Sequence, residues 1–343
     1  MTNEPSAHHT SLKADLVLSG GGVKGIGLVG AIVAVMEAGY SIQRVSGTSA
    51  GSIAGAILAA GSKRNQLTPD EVKRLTMTLP YREFLDAEPV ANIPVLGAAW
   101  DLINGNGIYK GDFAHDWVRS ELKNLGVCTF GDLAIEDDSL VPERRYRLVV
   151  TVTDVTTGQM VRLPWDYRRL YGLDPDEQQV ADAVRASMSI PFFFRAAKLT
   201  SASGLTSTLV DGGLLSNFPL DSFARPDGKP PRWPTFGVTV LPNLPQGNDK
   251  LIPGLAPLRW FGGPTLLEDL VTTMIVGHDQ AYLSQPWVSA RAIRVDSTDV
   301  GFLDFKISRK QMDTLYDRGY EAARTFLSCW NWTDYLDRYW RPQ

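Results

Sequence analysis

Residues 14–60 read ADLVLSGGGVKGIGLVGAIVAVMEAGYSIQRVSGTSAGSIAGAILAA. Ala14–Ser19 is a short buried strand, and Gly20–Gly25 is a glycine-rich turn. Ile26–Ala38 follows as a helix apolar nearly all round, with Gly39 as its C-terminal cap. Ser41–Ser46 is a second strand, Gly47–Gly51 a sharp turn, and Ser52–Ala60 a helix of small residues stopped by Gly61. Two continuously apolar strands, each followed by a helix, are the mark of a parallel sheet covered on both faces. The expected fold class is therefore α/β, with a mostly parallel central sheet.

The rest of the chain extends this pattern. Glu71–Leu79 and Lys110–Leu125 read as helices. Tyr146–Thr153 alternates as a strand and turns through Thr156-Thr157-Gly158 into Met160–Leu163. Val180–Ala186 is a short helix, Thr208–Val210 a strand running into Asp211-Gly212-Gly213, and Thr235–Leu241 another strand. Leu266–Leu283 is a helix and Arg291–Val295 a late strand. Met312, Leu315, Tyr316, Tyr320, Ala323 and Phe326 recur at three- and four-residue steps, an amphipathic helix that either closes the fold or forms a dimer face. Ala87–Asn106 carries Pro89, Pro94, Gly97 and Gly105 around an apolar stretch. It is either a mobile, membrane-touching lid or a cover for the core.

Composition narrows the function. The 343 residues carry 34 Lys+Arg against 38 Asp+Glu, a net charge of −4. A general nucleic-acid binder rests on clustered positive charge and is not expected. Cys128 and Cys329 are the two cysteines, so a disulfide framework and an all-cysteine metal cluster are excluded. No apolar run approaches the roughly 18 residues of a membrane-spanning helix. Met1–Lys13 is polar and reads as a disordered leader without a secretory stretch. A cytoplasmic, reducing context is the simplest expectation.

Three pieces carry chemistry. Gly20–Gly25 matches G-x-G-x-x-G between a strand and a helix, the form of a nucleotide cradle. The dinucleotide reading needs a carboxylate near the end of the second strand, and Val45-Ser46-Gly47-Thr48-Ser49 supplies none. No Gly-Lys-Ser/Thr follows the loop either, so the Walker pattern fails. Gly47-Thr48-Ser49-Ala50-Gly51 is G-x-S-x-G between strand and helix, where the nucleophile elbow sits. Its flanking positions 47, 50 and 51 are small, as so tight a turn demands. The plainer alternative is a small-residue turn with Ser49 as a helix cap. Asp211-Gly212-Gly213 ends a strand, and strand ends in an α/β sheet gather at the ligand-binding edge. By itself it is an ordinary Asp-Gly turn.

Together GGGVKG at 20–25, GTSAG at 47–51 and DGGLLSNFP at 211–219 resemble the patatin-like phospholipase family. The Ala186–Pro191 segment shares in the resemblance, which covers roughly residues 14–222. Residues 1–13 are then a leader, 14–222 the catalytic core, and 223–343 a C-terminal extension packed on the same domain, a weaker match. The resemblance implies a three-layer α/β fold and a lipid acyl hydrolase of phospholipase A or lysophospholipase type, working through a Ser–Asp dyad and an acyl-enzyme. It implies neither metal nor other cofactor, a lipid or phospholipid as partner, and transient contact with a membrane surface.

By the same resemblance Ser49 is the nucleophile and Asp211 the general base. Gly20, Gly21 and Gly22 form the oxyanion loop, and Gly47 and Gly51 build the elbow. Glycine at 213, where the family often has alanine, departs mildly from the pattern. Burial would raise the pKa of Asp211 and make it a better base. Lys24 is the candidate head-group contact, or else it points to solvent. Asn217 and Pro219 shape the loop after the aspartate. Phe192, Phe193, Phe194 and Trp165 line an acyl groove or belong to the core.

A Ser–His–Asp wiring would need a histidine, and His278 in the 266–283 helix is the candidate. His8, His9 and His115 lie in polar stretches. Asp154 is the rival carboxylate, with a turn-shaping role as its alternative. General carboxylesterase or thioesterase action on short soluble esters is the competing enzymatic reading. A lipid-binding module without chemistry is the other.

Overall fold

The computed structural model describes residues 12–63, 67–86, 107, 109–225, 227–240 and 282–340. The expected strand-helix-strand-helix opening is present as β1 (Leu12–Leu18), α1 (Gly25–Glu37), β2 (Tyr40–Thr48) and α2 (Ala50–Ser62). Helix α1 is buried along nearly its whole length, because the sheet lies on one side and a C-terminal helix on the other. Helices α3 (Pro69–Met77) and α4 (Asp112–Asn124) follow, then β3 (Leu148–Asp154) and β4 (Gln159–Leu163). Helix α5 (Val180–Ser187) precedes the strands β5 (Ala197–Thr200) and β6 (Thr206–Asp211). Strands β7 (Thr235–Thr239) and β8 (Ala292–Arg294) and helices α6 (Arg309–Cys329) and α7 (Trp332–Tyr339) complete the described chain.

The sheet runs β5-β6-β3-β2-β1-β7-β8, with β4 also paired to β3. The run β3-β2-β1-β7-β8 is parallel, and the pairs β3–β4, β3–β6 and β5–β6 are antiparallel. The mostly parallel α/β architecture expected from the sequence is therefore what the chain forms. Its buried strands are apolar on both faces, as a doubly covered sheet requires.

One detail of register positions everything that follows. Strand β2 pairs with β3 only as far as Thr48 opposite Thr151. Beyond that point β3 continues and pairs with β6, with Val152 opposite Asp211. Strand β4 occupies the other edge of β3, so β2 and β6 share one edge and meet head to head. The sequence reading placed Asp211 at a strand end of a parallel sheet. Strand β6 is instead antiparallel to β3, and its carboxyl end reaches the carboxyl end of β2 from the opposite direction.

The C-terminal helix α6 has the amphipathic character its spacing implies, burying Met312, Leu315, Tyr316 and Ala323. It packs on α1 at very close range. A Cβ at Gly319 would lie 1.9 Å from the carbonyl oxygen of Gly27. The strand β5 and the helix α7 were not expected, although Trp332, Tyr335, Leu336 and Tyr339 recur in α7 at three- and four-residue steps. The proposed lid Ala87–Asn106, the leader Met1–Lys13 apart from its last two residues, and most of the expected 266–283 helix lie outside the described residues.

Candidate active site

Ser49 stands at the junction of β2 and α2 with φ 51° and ψ −123°. Positive φ in a residue with a side chain is strained, and such strain collects at functional sites. Four hydrogen bonds hold the turn. The Ser49 N–H donates to Ser187 Oγ at 2.8 Å, and Ser187 Oγ donates to the Thr151 carbonyl at 2.7 Å. The Ser49 carbonyl accepts from the Ser52 hydroxyl at 2.6 Å and the Ser52 amide at 2.9 Å. The glycines are obligatory for space. A Cβ at Gly47 would fall 2.3 Å from the Gly51 carbonyl oxygen.

Ser187 was not singled out from the sequence beyond its place in the 186–191 segment. It is fully buried, and its hydroxyl is the acceptor for one backbone group and the donor for another. Ser187→Ala is expected to lower stability by about 2 kcal/mol or more, because it strands a buried N–H and a buried carbonyl. Thermal melting of the variant checks this, and an unchanged midpoint would show that the elbow does not lean on Ser187.

Asp211 ends β6 and is 2% exposed, while Ser49 is 3% exposed. Asp211 Oδ1 accepts from the Gly213 N–H at 2.8 Å. Oδ2 is buried without another partner at full hydrogen-bonding geometry among the described residues. The Ser49 hydroxyl lies close enough to Asp211 to favour its charged form. Burial outweighs that effect and the Gly213 amide, and pushes the Asp211 carboxyl up to about 7.

The glycine loop lies across from this pair. A Cβ at Gly20 would come within 3.1 Å of Ser49 Cβ. The Gly20 N–H donates to Asn217 Oδ1 at 3.0 Å, so it is already engaged. The amides of Gly21 and Gly22 have no such bond among the described residues. Gly22 adopts φ +54°, and a Cβ there would sit 2.1 Å from the Phe302 carbonyl oxygen. That carbonyl accepts from the Val23 N–H at 3.2 Å, so a loop of the C-terminal third clamps the glycine turn. Asn217 is 1% exposed and joins the segment after Asp211 to the glycine loop, a loop-shaping contact like the one anticipated for it.

Ser49 opens on a narrow pocket of about 50 Å³ with mostly apolar walls, among them Val29, Ile53, Leu79, Phe84, Ile190 and Phe305. Of the aromatic trio, Phe194 lines this pocket. Phe193 is buried and stacks on Phe305 with ring centroids 5.5 Å apart. Trp165 does not line the pocket. It packs edge-on against Phe223, on another part of the molecule. Leu79, Phe84 and Phe305 had no local signal that marked them, because they reach the pocket only through tertiary packing.

Lys24 corrects the alternative that it points to solvent. It is 2% exposed, so it does not point to solvent, and it does not line the Ser49 pocket. Burial lowers its pKa to about 8, against the attraction of Asp299 and Asp296. Asp154 takes the amides of Thr156 and Thr157 on Oδ1 and the Tyr171 hydroxyl on Oδ2, so it shapes the hairpin. His115 bonds Asp182 at 2.7 Å between α4 and α5 and does not line the pocket. His278 lies outside the described residues. Among the described residues no cluster of His, Cys, Asp or Glu is placed to hold a metal ion, and no helix is long and apolar enough to cross a membrane.

Ser49 at its turn thus faces the buried Asp211 carboxylate where two strand ends meet. Residues 16–224 match the family model described as patatin-like phospholipase. The Bacillus subtilis (strain 168) protein YqhO is 35% identical over 322 residues, covering 93% of this chain and 99% of its own length. An NTE family protein of Mycobacterium tuberculosis (strain H37Rv), Rv2565, is 26% identical over 325 residues. That match covers 91% of this chain but 46% of the mycobacterial protein, so the chain spans about half its length. Among solved structures, VipD from Legionella pneumophila shares the fold with a TM-score of 0.50 at 18% identity, over 93% of this chain and 67% of that one. The chain belongs to the patatin-like phospholipase family, which implies hydrolysis of lipid esters.

Proposed function

We propose that the protein is a lipid acyl hydrolase of phospholipase A or lysophospholipase type, using Ser49 as nucleophile and Asp211 as its base. The observation that carries the reading is the buried apposition of Ser49 and Asp211 at the mouth of an apolar pocket. A carboxylate at its ordinary pKa of about 3.9 is a weak base for a hydroxyl. One raised to about 7 by burial is far better matched to the task near neutral pH.

In the first half-reaction Ser49 Oγ attacks the ester carbonyl as its proton passes to Asp211. The carbonyl oxygen gathers negative charge, and the Gly21 and Gly22 amides are the donors that meet it. Gly20, whose N–H is engaged by Asn217, anchors the loop instead of donating. One such donor is worth about 2.7–4 kcal/mol of transition-state stabilisation. Asp211 then gives its proton to the leaving alcohol as the carbon–oxygen bond breaks, leaving an acyl-Ser49 ester. In the second half-reaction Asp211 takes a proton from water, the water oxygen attacks the acyl carbonyl, and the proton returns to Ser49 Oγ as the fatty acid departs. The pocket walls from α1, α2 and α3 favour an acyl chain over a polar group. The substrate is met transiently at a micelle or bilayer surface.

A fluorophosphonate probe followed by peptide mass spectrometry is the direct test. Covalent modification is expected at Ser49, with slower modification in Asp211→Ala. A folded protein left unlabelled at Ser49 would overturn the reading. Ester hydrolysis that falls steadily as the acyl chain lengthens would assign the chain to short soluble esters instead.

A further inference from the structure

One short stretch of chain touches the backbone of both Ser49 and Asp211. At the end of α5 the Ser187 hydroxyl accepts from the Ser49 N–H at 2.8 Å. Two residues on, the Ser189 carbonyl accepts from the Asp211 N–H at 2.9 Å. Ser49 follows β2 and Asp211 ends β6, so the 187–189 turn is a reference common to two strands that meet nowhere else in the ladder. Both of its serines are fully buried. Any tilt of this turn changes the spacing between the nucleophile and its base.

Arg185 stands one helical turn before Ser189 and is half-buried. Its guanidinium donates to Ser189 Oγ at 2.7 Å, to the Arg195 carbonyl at 3.0 Å and to the Lys110 carbonyl. The Ser189 hydroxyl donates in return to the Arg185 carbonyl at 3.0 Å, which closes the turn on itself. Burial disfavours the charge on Arg185, and among the described residues Asp112 and Asp86 favour it only from beyond ion-pair distance. Asp86 is engaged elsewhere, by the amides of Gly111 at 2.8 Å and Phe113 at 3.0 Å. Space for the guanidinium comes from Gly111, which has φ +74° and where a Cβ would lie 2.6 Å from Arg185 Cζ. The two carbonyls that Arg185 holds belong to segments that are themselves joined. The Tyr109 N–H donates to the Phe193 carbonyl at 2.9 Å, and the Arg195 N–H to the Tyr109 carbonyl at 3.0 Å. Phe194, between them, is a wall of the Ser49 pocket.

A neutral side chain would fill this space without desolvating a charge. What arginine alone supplies is a rigid planar fork that donates to several oxygens at once. We propose that Arg185 is a positioning residue of the dyad: its fork locks the 187–189 turn against the 109–111 and 193–195 segments, and so sets the spacing of Ser49 and Asp211. Arg185 does not line the Ser49 pocket, so it acts through the turn and not on the substrate. The inference rests on the reading of Ser49 and Asp211 as nucleophile and base.

Steady-state hydrolysis of p-nitrophenyl octanoate, measured well below the melting temperature of each protein, tests the proposal. In Arg185→Ala kcat is expected to fall about 100-fold, the loss that a displacement of about 1 Å brings, with KM changing far less. Arg185→Lys keeps the charge but not the fork, and it carries the same expectation should the alanine variant fail to fold. Leu133→Ala is the control for lost stability alone. Leu133 is buried near the amino end of β3, where its carbonyl accepts from the Arg147 N–H at 2.9 Å, away from the dyad. Its truncation should lower the melting temperature and leave kcat near the wild-type value. Folded Arg185 variants that behave like this control, or that raise KM with kcat unchanged, overturn the inference. Fluorophosphonate labelling of the wild type at Ser49 keeps that outcome distinct from failure of the hydrolase reading, since a wild type left unlabelled overturns both.

Discussion

Asp211→Asn is expected to lower kcat/KM for a lipid ester about 10⁴-fold while making the protein more stable above pH 7. Asparagine keeps the shape of the side chain and an oxygen to accept from the Gly213 N–H, so the end of β6 is preserved. It cannot take the Ser49 proton. The stability gain follows from the same burial. The Asp211 carboxyl titrates near 7 in the folded chain, against an ordinary value of 3.8. Between those values the native state holds a proton that the unfolded chain has released. The wild type therefore loses stability as pH climbs from about 4 through 7, and the loss is complete above that. It amounts to roughly 4 kcal/mol at its upper bound.

The variant carries no such penalty, so its advantage in melting temperature should grow across the same window and then level off. Wild-type kcat/KM should rise through pH 7 to a plateau, the mark of a base that must lose its proton first. Melting curves and pH–rate profiles on the two proteins measure both effects. Full activity in Asp211→Asn would remove Asp211 from the chemistry. A wild-type profile flat between pH 6 and 8 would mean that another group limits the rate.

The parts of this site that the sequence displayed are the parts built by neighbours in the chain. The glycine turn, the elbow and their helices need only small residues in order, and each strand–turn–helix unit is local. Asp211 was legible as a strand end, but its route to Ser49 was not. That route depends on β2 stopping at Thr48 while β3 runs on, and on β6 filling the vacated edge. No local pattern encodes where one strand runs out beside another. Ser187 was hidden for the same reason, since its partners Ser49 and Thr151 lie 138 and 36 residues away. The solvent-pointing alternative for Lys24 failed because lysine is rarely buried, and this one is. The loop at Phe302, far along the chain, closes on the neighbouring Gly22 and Val23. Trp165 took the core alternative of the two its aromatic character allowed, packed against Phe223 away from the Ser49 pocket.

Gly51→Ala is expected to cost at least about 4 kcal/mol, enough to lower the melting temperature by on the order of 10 °C and abolish labelling at Ser49. The added methyl carbon would lie 2.5 Å from the Leu18 carbonyl oxygen and 2.6 Å from that of Ser19. Both are backbone atoms at the end of the central strand. Leu18 is paired with Gly47 on one side and Val238 on the other, and the Ser19 N–H donates to the Val238 carbonyl at 3.0 Å. β1 therefore has no freedom to retreat, and the start of α2 must move away from it, carrying Ser49 out of line with Asp211.

Gly158→Ala separates this steric effect from the general cost of replacing a glycine. Gly158 has φ +68°, and a Cβ there would meet nothing within 4 Å. Its loss should cost only the left-handed strain of about 1–2 kcal/mol and leave labelling intact. If the two variants melt alike, the close approach of α2 to β1 is not what fixes the elbow. If Gly51→Ala melts far lower and Gly158→Ala still labels, the packing of α2 against the end of β1 is what holds Ser49 in its strained position facing the base.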